Sequence, residues 1–259
     1  MNIRNYAWNG SFALTALLVY ALLLVPIVVI VLTSFTPRPF PTIPTTGLTI
    51  EWYVELFSDQ ALRSALINSV IVAALSAILS TIIGTISAFG FVRSEFAYKS
   101  QISTFMLLPL MISPVITGLA LVRYLSGFSG IIPIVLGHTV LTLPYVFLIV
   151  RAELVVFDET LERASRVMGA NPIESVVNVT LPNISNAIVS AVLISFVVSF
   201  GEFTATQFLT SPSTNTVPVI IYTQLRSGLS PTISALSTVL VLVMLAAAVA
   251  SGVISRRSS

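Results

Sequence analysis

Val156-Phe-Asp-Glu-Thr-Leu-Glu-Arg-Ala-Ser-Arg-Val-Met-Gly-Ala-Asn-Pro-Ile-Glu-Ser-Val-Val-Asn-Val-Thr-Leu-Pro182 is a polar island between two long apolar segments. Five of the ten acidic residues (Glu153, Asp158, Glu159, Glu162, Glu174) lie in it or just before it, in a chain only 8% charged. Charge that dense between hydrophobic spans reads as a docking surface. Leu161, Ala164 and Met168 recur at helical spacing up to Gly169, whose freedom at positive φ suits a helix exit. A second short helix is expected next, with Asn171 as N-cap, Pro172 at the first helical position and Glu174 completing a capping box. Leu181-Pro182 is expected to end it, because proline restricts the residue before it and donates no backbone hydrogen bond.

Outward from the island the chain is apolar. Of its 259 residues 56% are hydrophobic and the mean hydropathy is +1.00, against about 45–50% apolar residues in soluble domains. Such a chain belongs in a bilayer. The net charge of +2 does not point to nucleic acid, since the basic residues are scattered at span ends and form no stripe. With no cysteine and one histidine, His138, there is neither thiolate chemistry nor a metal-binding pattern.

Six apolar spans are expected, at residues 12–34, 64–92, 102–124, 131–150, 184–209 and 233–254, each near the roughly 20 residues that cross a hydrocarbon core. The first is too long for a signal-peptide core and has no small-x-small cleavage site, so it reads as a retained helix. Pro37, Pro39, Pro41 and Pro44 make an extended connector after it. Ile50, Tyr53, Leu56 and Phe57 then share a face of a short helix, where Trp52 and Tyr53 suit the membrane interface. Ser76, Ser80, Gly84 and Ala88 recur every four residues in the second span and form a smooth ridge for a close helix neighbour. Pro109 and Pro114 interrupt the third.

An even number of spans puts both termini on one side. Arg4, Arg93, Lys99, Arg151, Arg163, Arg166, Arg256 and Arg257 share that side, against Arg38, Arg63, Arg123 and Arg226 on the other. The positive-inside rule then places the termini and the island in the cytoplasm. No repeat or linker divides the chain, which reads as one membrane domain, 1–259, with a five-helix core over 64–254.

Leu161-Glu-Arg-Ala-Ser-Arg-Val-Met-Gly169, followed by Val179-Thr-Leu-Pro182 and a new apolar span, resembles the EAA loop of permease subunits in binding-protein-dependent ABC importers. Gly169, the ten-residue step to Val179 and the Leu-Pro ending all fit. Arg163 stands where the motif has glutamate and Ser165 where it has its second alanine, while Glu162 lies one place early. From about Asn68 onward the chain is most similar to the second permease of spermidine/putrescine-type importers, including Gly228-Leu-Ser-Pro-Thr-Ile-Ser-Ala-Leu-Ser-Thr238.

The resemblance implies an all-α membrane protein of type I importer fold, six transmembrane helices with the coupling loop, 156–182, between the fourth and fifth. It implies a cell-membrane assembly with a second permease subunit, a different chain, two cytoplasmic ABC ATPase subunits and an extracytoplasmic solute-binding protein. ATP and Mg would be used by the ATPases, and no cofactor by this chain. Glu162, Arg163, Ala164, Ser165, Gly169, Ala170, Asn171, Pro172, Leu181 and Pro182 would be the coupling residues. The helix around Asn171 to Thr180 would sit in an ATPase cleft whose closure alternates access to the path. The solute would be small and polar, a polyamine-like cation among the options.

The chain has no G-x-x-x-x-G-K-[ST] phosphate loop and only one lysine, so it is not itself the ATPase. His138 has no nucleophile-base-orienter partners evident in the sequence and reads as a satisfied helix-packing residue, which disfavours a hydrolase. Glu202 is the ionisable residue set deep in a span. Ser195, Ser199, Glu202 and Thr206 are expected on one helical face. That face either bonds to a neighbouring helix, with Glu202 paired to Arg123, or lines the substrate path, as the fifth span does in the resembling family. An ion- or proton-coupled carrier is the rival reading, against which stands the lack of resemblance between the two halves.

Overall fold

The computed structural model describes residues 3–38, 47–226, 228 and 230–256, and among these it is helical with no strand. Pro39, Pro41 and Pro44 of the expected connector lie outside the described residues, as do Leu229 and Arg257. The helices are α1 (Ile3–Thr33), α2 (Glu51–Ser58), α3 (Gln60–Arg93), α4 (Lys99–Met106), α5 (Leu108–Met111), α6 (Pro114–Tyr124) and α7 (Ile132–Val156). They continue as α8 (Thr160–Val167), α9 (Pro172–Ser175), a π-helical turn (Val176–Thr180), α10 (Leu181–Asn183), α11 (Ser185–Phe200), α12 (Thr206–Leu209), α13 (Val217–Leu225) and α14 (Pro231–Arg256).

Four of these, within α1, α3, α7 and α14, are long and apolar enough to cross a membrane. A fifth counts if Pro172–Asn183 and Ser185–Phe200, bent by 69° at their junction, are one span. The expected third span is three short helices. Pro114 opens α6 and forces Ser113 into extended backbone (φ −57°, ψ 133°), as the residue before a proline must be. Pro109 similarly stands in the first turn of α5. The second span begins earlier than expected, because the Asp59 carboxylate accepts from the Ala61 and Leu62 amides (2.7 and 3.0 Å) and starts α3 there.

The chain falls into two compact units, Met1–Arg63 with Ile221–Val241, and Ser64–Ile220 with Leu242–Ser259. In the first, α2 is strapped to the end of α1: Trp52 Nε1 donates to the Thr36 carbonyl (2.7 Å) and the Ser34 and Tyr53 hydroxyls meet at 2.7 Å. Leu56 is fully buried, while Ile50 and Phe57 of the expected face are exposed.

The second unit is built on α7, whose inner face is buried against α3 and α11. Ala88 and Phe91 of α3, Val146, Phe147, Val150 and Leu154 of α7, and Ala191 of α11 form one core cluster. The small-residue ridge meets α7 as its spacing suggests. Ser76 Oγ donates to the Val135 carbonyl (3.0 Å), and a Cβ on Gly84 would lie 2.6 Å from Val146 Cγ1.

Candidate functional site

The island folds as two clipped rods. Asp158 accepts from the Thr160 amide (2.9 Å) at the start of α8, and that backbone bond is the main cause holding its carboxyl below the ordinary range. Gly169 adopts φ +101°. The Ala170 amide reaches back to the Ser165 carbonyl (3.1 Å) and the Gly169 amide to Arg166 (3.0 Å), a complete Schellman ending. The capping box is present: Asn171 Oδ1 accepts from the Glu174 amide and Glu174 Oε2 from the Asn171 amide, both at 2.9 Å. Contrary to expectation, Leu181-Pro182 does not end the second rod. A π-turn at Val176–Thr180, closed by the Leu181 amide on the Val176 carbonyl, puts Pro182 into the first turn of α10, where a missing N–H is tolerated.

Glu162 is the hub of this arrangement and is 5% exposed. Its Oε1 accepts from Arg93 Nη2 (2.7 Å) and Thr180 Oγ1 (2.5 Å), while Arg166 lies 3.5 Å from Oε2. Its carbonyl accepts from the Ser165 and Ser175 hydroxyls (2.8 and 3.2 Å), which meet each other at 2.6 Å. Arg93, the last residue of α3, also bonds Glu159. Glu162 therefore ties α8, the π-turn and the end of α3 together from inside. Arg163 points outward with 72% of its side chain exposed and Glu159 3.8 Å away. Ala164, Asn171, Pro172 and Pro182 are exposed, Ala170 and Leu181 half-buried. Val167, Met168 and Ile173 stand 88%, 82% and 76% exposed. A groove of about 720 Å³ is lined by Arg93, Glu95, Glu159, Arg163 and Arg166 among others.

The expected polar face is not one continuous helical face. Gly201 caps α11, and the Glu202 carboxylate accepts from the Ala205 amide (2.8 Å), stabilising a turn in place of further helix. Ser195, Ser199 and Thr206 are buried and Glu202 is half-buried. Ser199 and Thr206 are brought together by His138, whose Nδ1 and Nε2 lie 2.7 Å from their hydroxyl oxygens. Arg123 is exposed, and among the described residues Glu202 makes no ion pair with it. Arg93, Ser175, Thr180 and the bridging role of His138 escape the sequence because their partners lie far along the chain. Among the described residues no three His, Cys, Asp or Glu side chains converge as a metal site.

Residues 80–258 match the family described as "Binding-protein-dependent transport system inner membrane component". The chain is similar to the spermidine/putrescine transport system permease protein PotC of Haemophilus influenzae, with 29% identity over 93% of this chain and 95% of that protein. It is 31% identical to PotC of Escherichia coli K12 over 92% of this chain and 91% of that protein. It is 30% identical to the putrescine transport system permease protein PotI of Escherichia coli K12, over 86% and 83%. A chain of a bacterial ABC transporter involved in the import of the acidic polysaccharide alginate shares its fold, with a TM-score of 0.76 at 18% identity over 98% of this chain and 96% of that one.

Proposed function

This chain belongs to the inner-membrane components of binding-protein-dependent transport systems, and from that premise we propose that it forms part of the path for a polyamine-like cation and is driven through its 156–182 loop. It is a multi-pass permease subunit of an ABC importer, working with a solute-binding protein and with separate ATPase subunits that hydrolyse ATP. The carrier driven by an ion gradient gives way to that membership. Six crossings, both termini in the cytoplasm, and a second permease of different sequence complete the proposed assembly.

The observation that carries the docking proposal is the division of labour at Glu162 and Arg163. Glu162 is consumed within the loop, so the surface offered to an ATPase is Arg163 together with the exposed Val167, Met168 and Ile173. A rigid, doubly capped rod with an apolar tip is suited to a cleft whose closure must move it as a unit. A photo-crosslinker at Ile173 should capture the ATPase in the assembled complex; capture of none of the cytoplasmic subunits removes the docking site.

The path proposal rests on Glu202, half-buried at a helix break where a carboxylate is costly unless hydrated or paired. Glu202→Gln keeps an oxygen for the Ala205 amide, so the complex should assemble normally. Labelled spermidine uptake should fall about tenfold, the order of a lost charged contact. Unchanged uptake would take Glu202 out of the path. ATP-driven uptake of a neutral solute but not spermidine by the parent complex would remove the cation.

A further inference from the structure

We infer that His138 is the positioning residue of the break between α11 and α12, and that it acts as the neutral imidazole with its proton on Nε2. The ring is 1% exposed. One nitrogen meets Ser199, in the last turn of α11, and the other meets Thr206, the first residue of α12. A single side chain of α7 thus grips the chain on both sides of the break.

The protons follow from the contacts. The Thr206 hydroxyl lies 2.8 Å from the Glu202 carbonyl, and a carbonyl only accepts, so the one hydroxyl hydrogen is used there. Toward the ring Thr206 therefore accepts, and Nε2 carries the hydrogen. A neutral imidazole has one N–H, so Nδ1 accepts and Ser199 donates. Of the two neutral tautomers, only this one makes all three contacts hydrogen bonds, and burial of the ring disfavours the charged form. Among the described residues no carboxylate bonds the ring.

What the grip controls is Glu202. Its carbonyl is bonded by Thr206 and its carboxylate by the Ala205 amide. The turn that orients Glu202 is thus pinned to α7 through His138. The consequence for transport rests on the reading of Glu202 as a path residue; the proton assignment does not.

The full transporter complex in lipid nanodiscs tests both. His138 is the only histidine of this chain, so in 15N-histidine-labelled complex its signals are those lost in His138→Gln. The shifts expected are those of a neutral ring protonated on Nε2; a ring protonated on Nδ1, or an imidazolium, overturns the inference. The chain has no cysteine, so Thr204→Cys gives one thiol of this subunit at the break. Its reaction with a water-soluble maleimide should change about tenfold in His138→Leu and His138→Asn, the order expected for loss of a buried hydrogen bond. It should stay near the parent rate in His138→Gln, whose amide nitrogen reaches the place of Nε2, whereas that of asparagine reaches only the place of Nδ1. A thiol that reacts equally in all backgrounds overturns the grip alone. A thiol inert in every background counts against both the grip and the path.

Discussion

Neighbouring residues of opposite charge, Glu162 and Arg163, have opposite fates, and the contrast fixes what each substitution should do. Glu162 is nearly enclosed and receives Arg93 and Thr180 on one oxygen. Glu162→Ala leaves the Arg93 guanidinium, itself 20% exposed, with Glu159 as its one ion partner among the described residues. A buried charge stripped of one partner costs several kcal/mol, and partial exposure here reduces that to about 2 kcal/mol. Thermal unfolding of the complex should therefore come earlier, and transport-coupled ATP hydrolysis should fall with it. Arg163→Ala removes an exposed side chain whose contact with Glu159 is 3.8 Å long. Stability should stay within about 0.5 kcal/mol of the parent, while affinity for the ATPase drops, as read by pull-down at increasing salt. The reverse pattern, a stable Glu162→Ala and an unstable Arg163→Ala, would exchange their roles.

Elements are set by close backbone approach and by turns, and two glycines in α3 separate the two effects of adding a side chain. A Cβ on Gly84 meets Val146 Cγ1 at 2.6 Å, whereas one on Gly90 meets nothing within 4 Å. Gly84→Val should force α3 off α7 and lower thermal stability by about 1–3 kcal/mol. Gly90→Ala should be neutral or stabilising by up to about 1 kcal/mol through helix propensity. At Gly169 the space is open but φ is +101°, so Gly169→Val strains the backbone alone, by about 1 kcal/mol or more. Membrane insertion should be intact and ATPase pull-down weakened, with Gly169→Ala milder than Gly169→Val because alanine adds no β-branch. These local features, the Schellman turn and the capping box, were legible in the sequence because all their atoms lie within about six residues. The long apolar helices were legible by length. Illegible were the hub at Glu162, whose partners Arg93 and Thr180 are 69 and 18 residues away, and the end of α11. There the 184–209 apolar run concealed a break that Gly201 and the Glu202 carboxylate make between them. The face drawn through Ser195, Ser199, Glu202 and Thr206 assumed an unbroken helix, and His138 restores part of it by bonding the two ends.

For the chain as a whole, membrane sidedness turns on its weakest segment, the three short helices α4, α5 and α6. If that segment crosses, residues after it lie on the sides expected from the basic residues; if it only dips in, every later loop exchanges sides. Its 8, 4 and 11 helical residues provide about 35 Å of rise at 1.5 Å each, enough for a hydrocarbon core of about 30 Å even with bends. The charges agree: Lys99 at one end and Arg123 at the other flank a stretch without Asp, Glu, Lys or Arg between them. A dipping segment would also carry Arg151, Arg163 and Arg166 away from the cytoplasm, against the positive-inside bias, and the 156–182 loop away from any cytoplasmic ATPase. The chain has no cysteine, so each introduced thiol reports its own side. In intact cells an impermeant maleimide should label Ser129→Cys. It should label Ser100→Cys and Asp158→Cys only after the inner membrane is permeabilised. All three positions are exposed in the structure, so protection reports the membrane and not burial. Labelling of Asp158→Cys from outside, with Ser129→Cys protected, would show that α4 to α6 do not cross and would leave the loop without an ATPase to drive it.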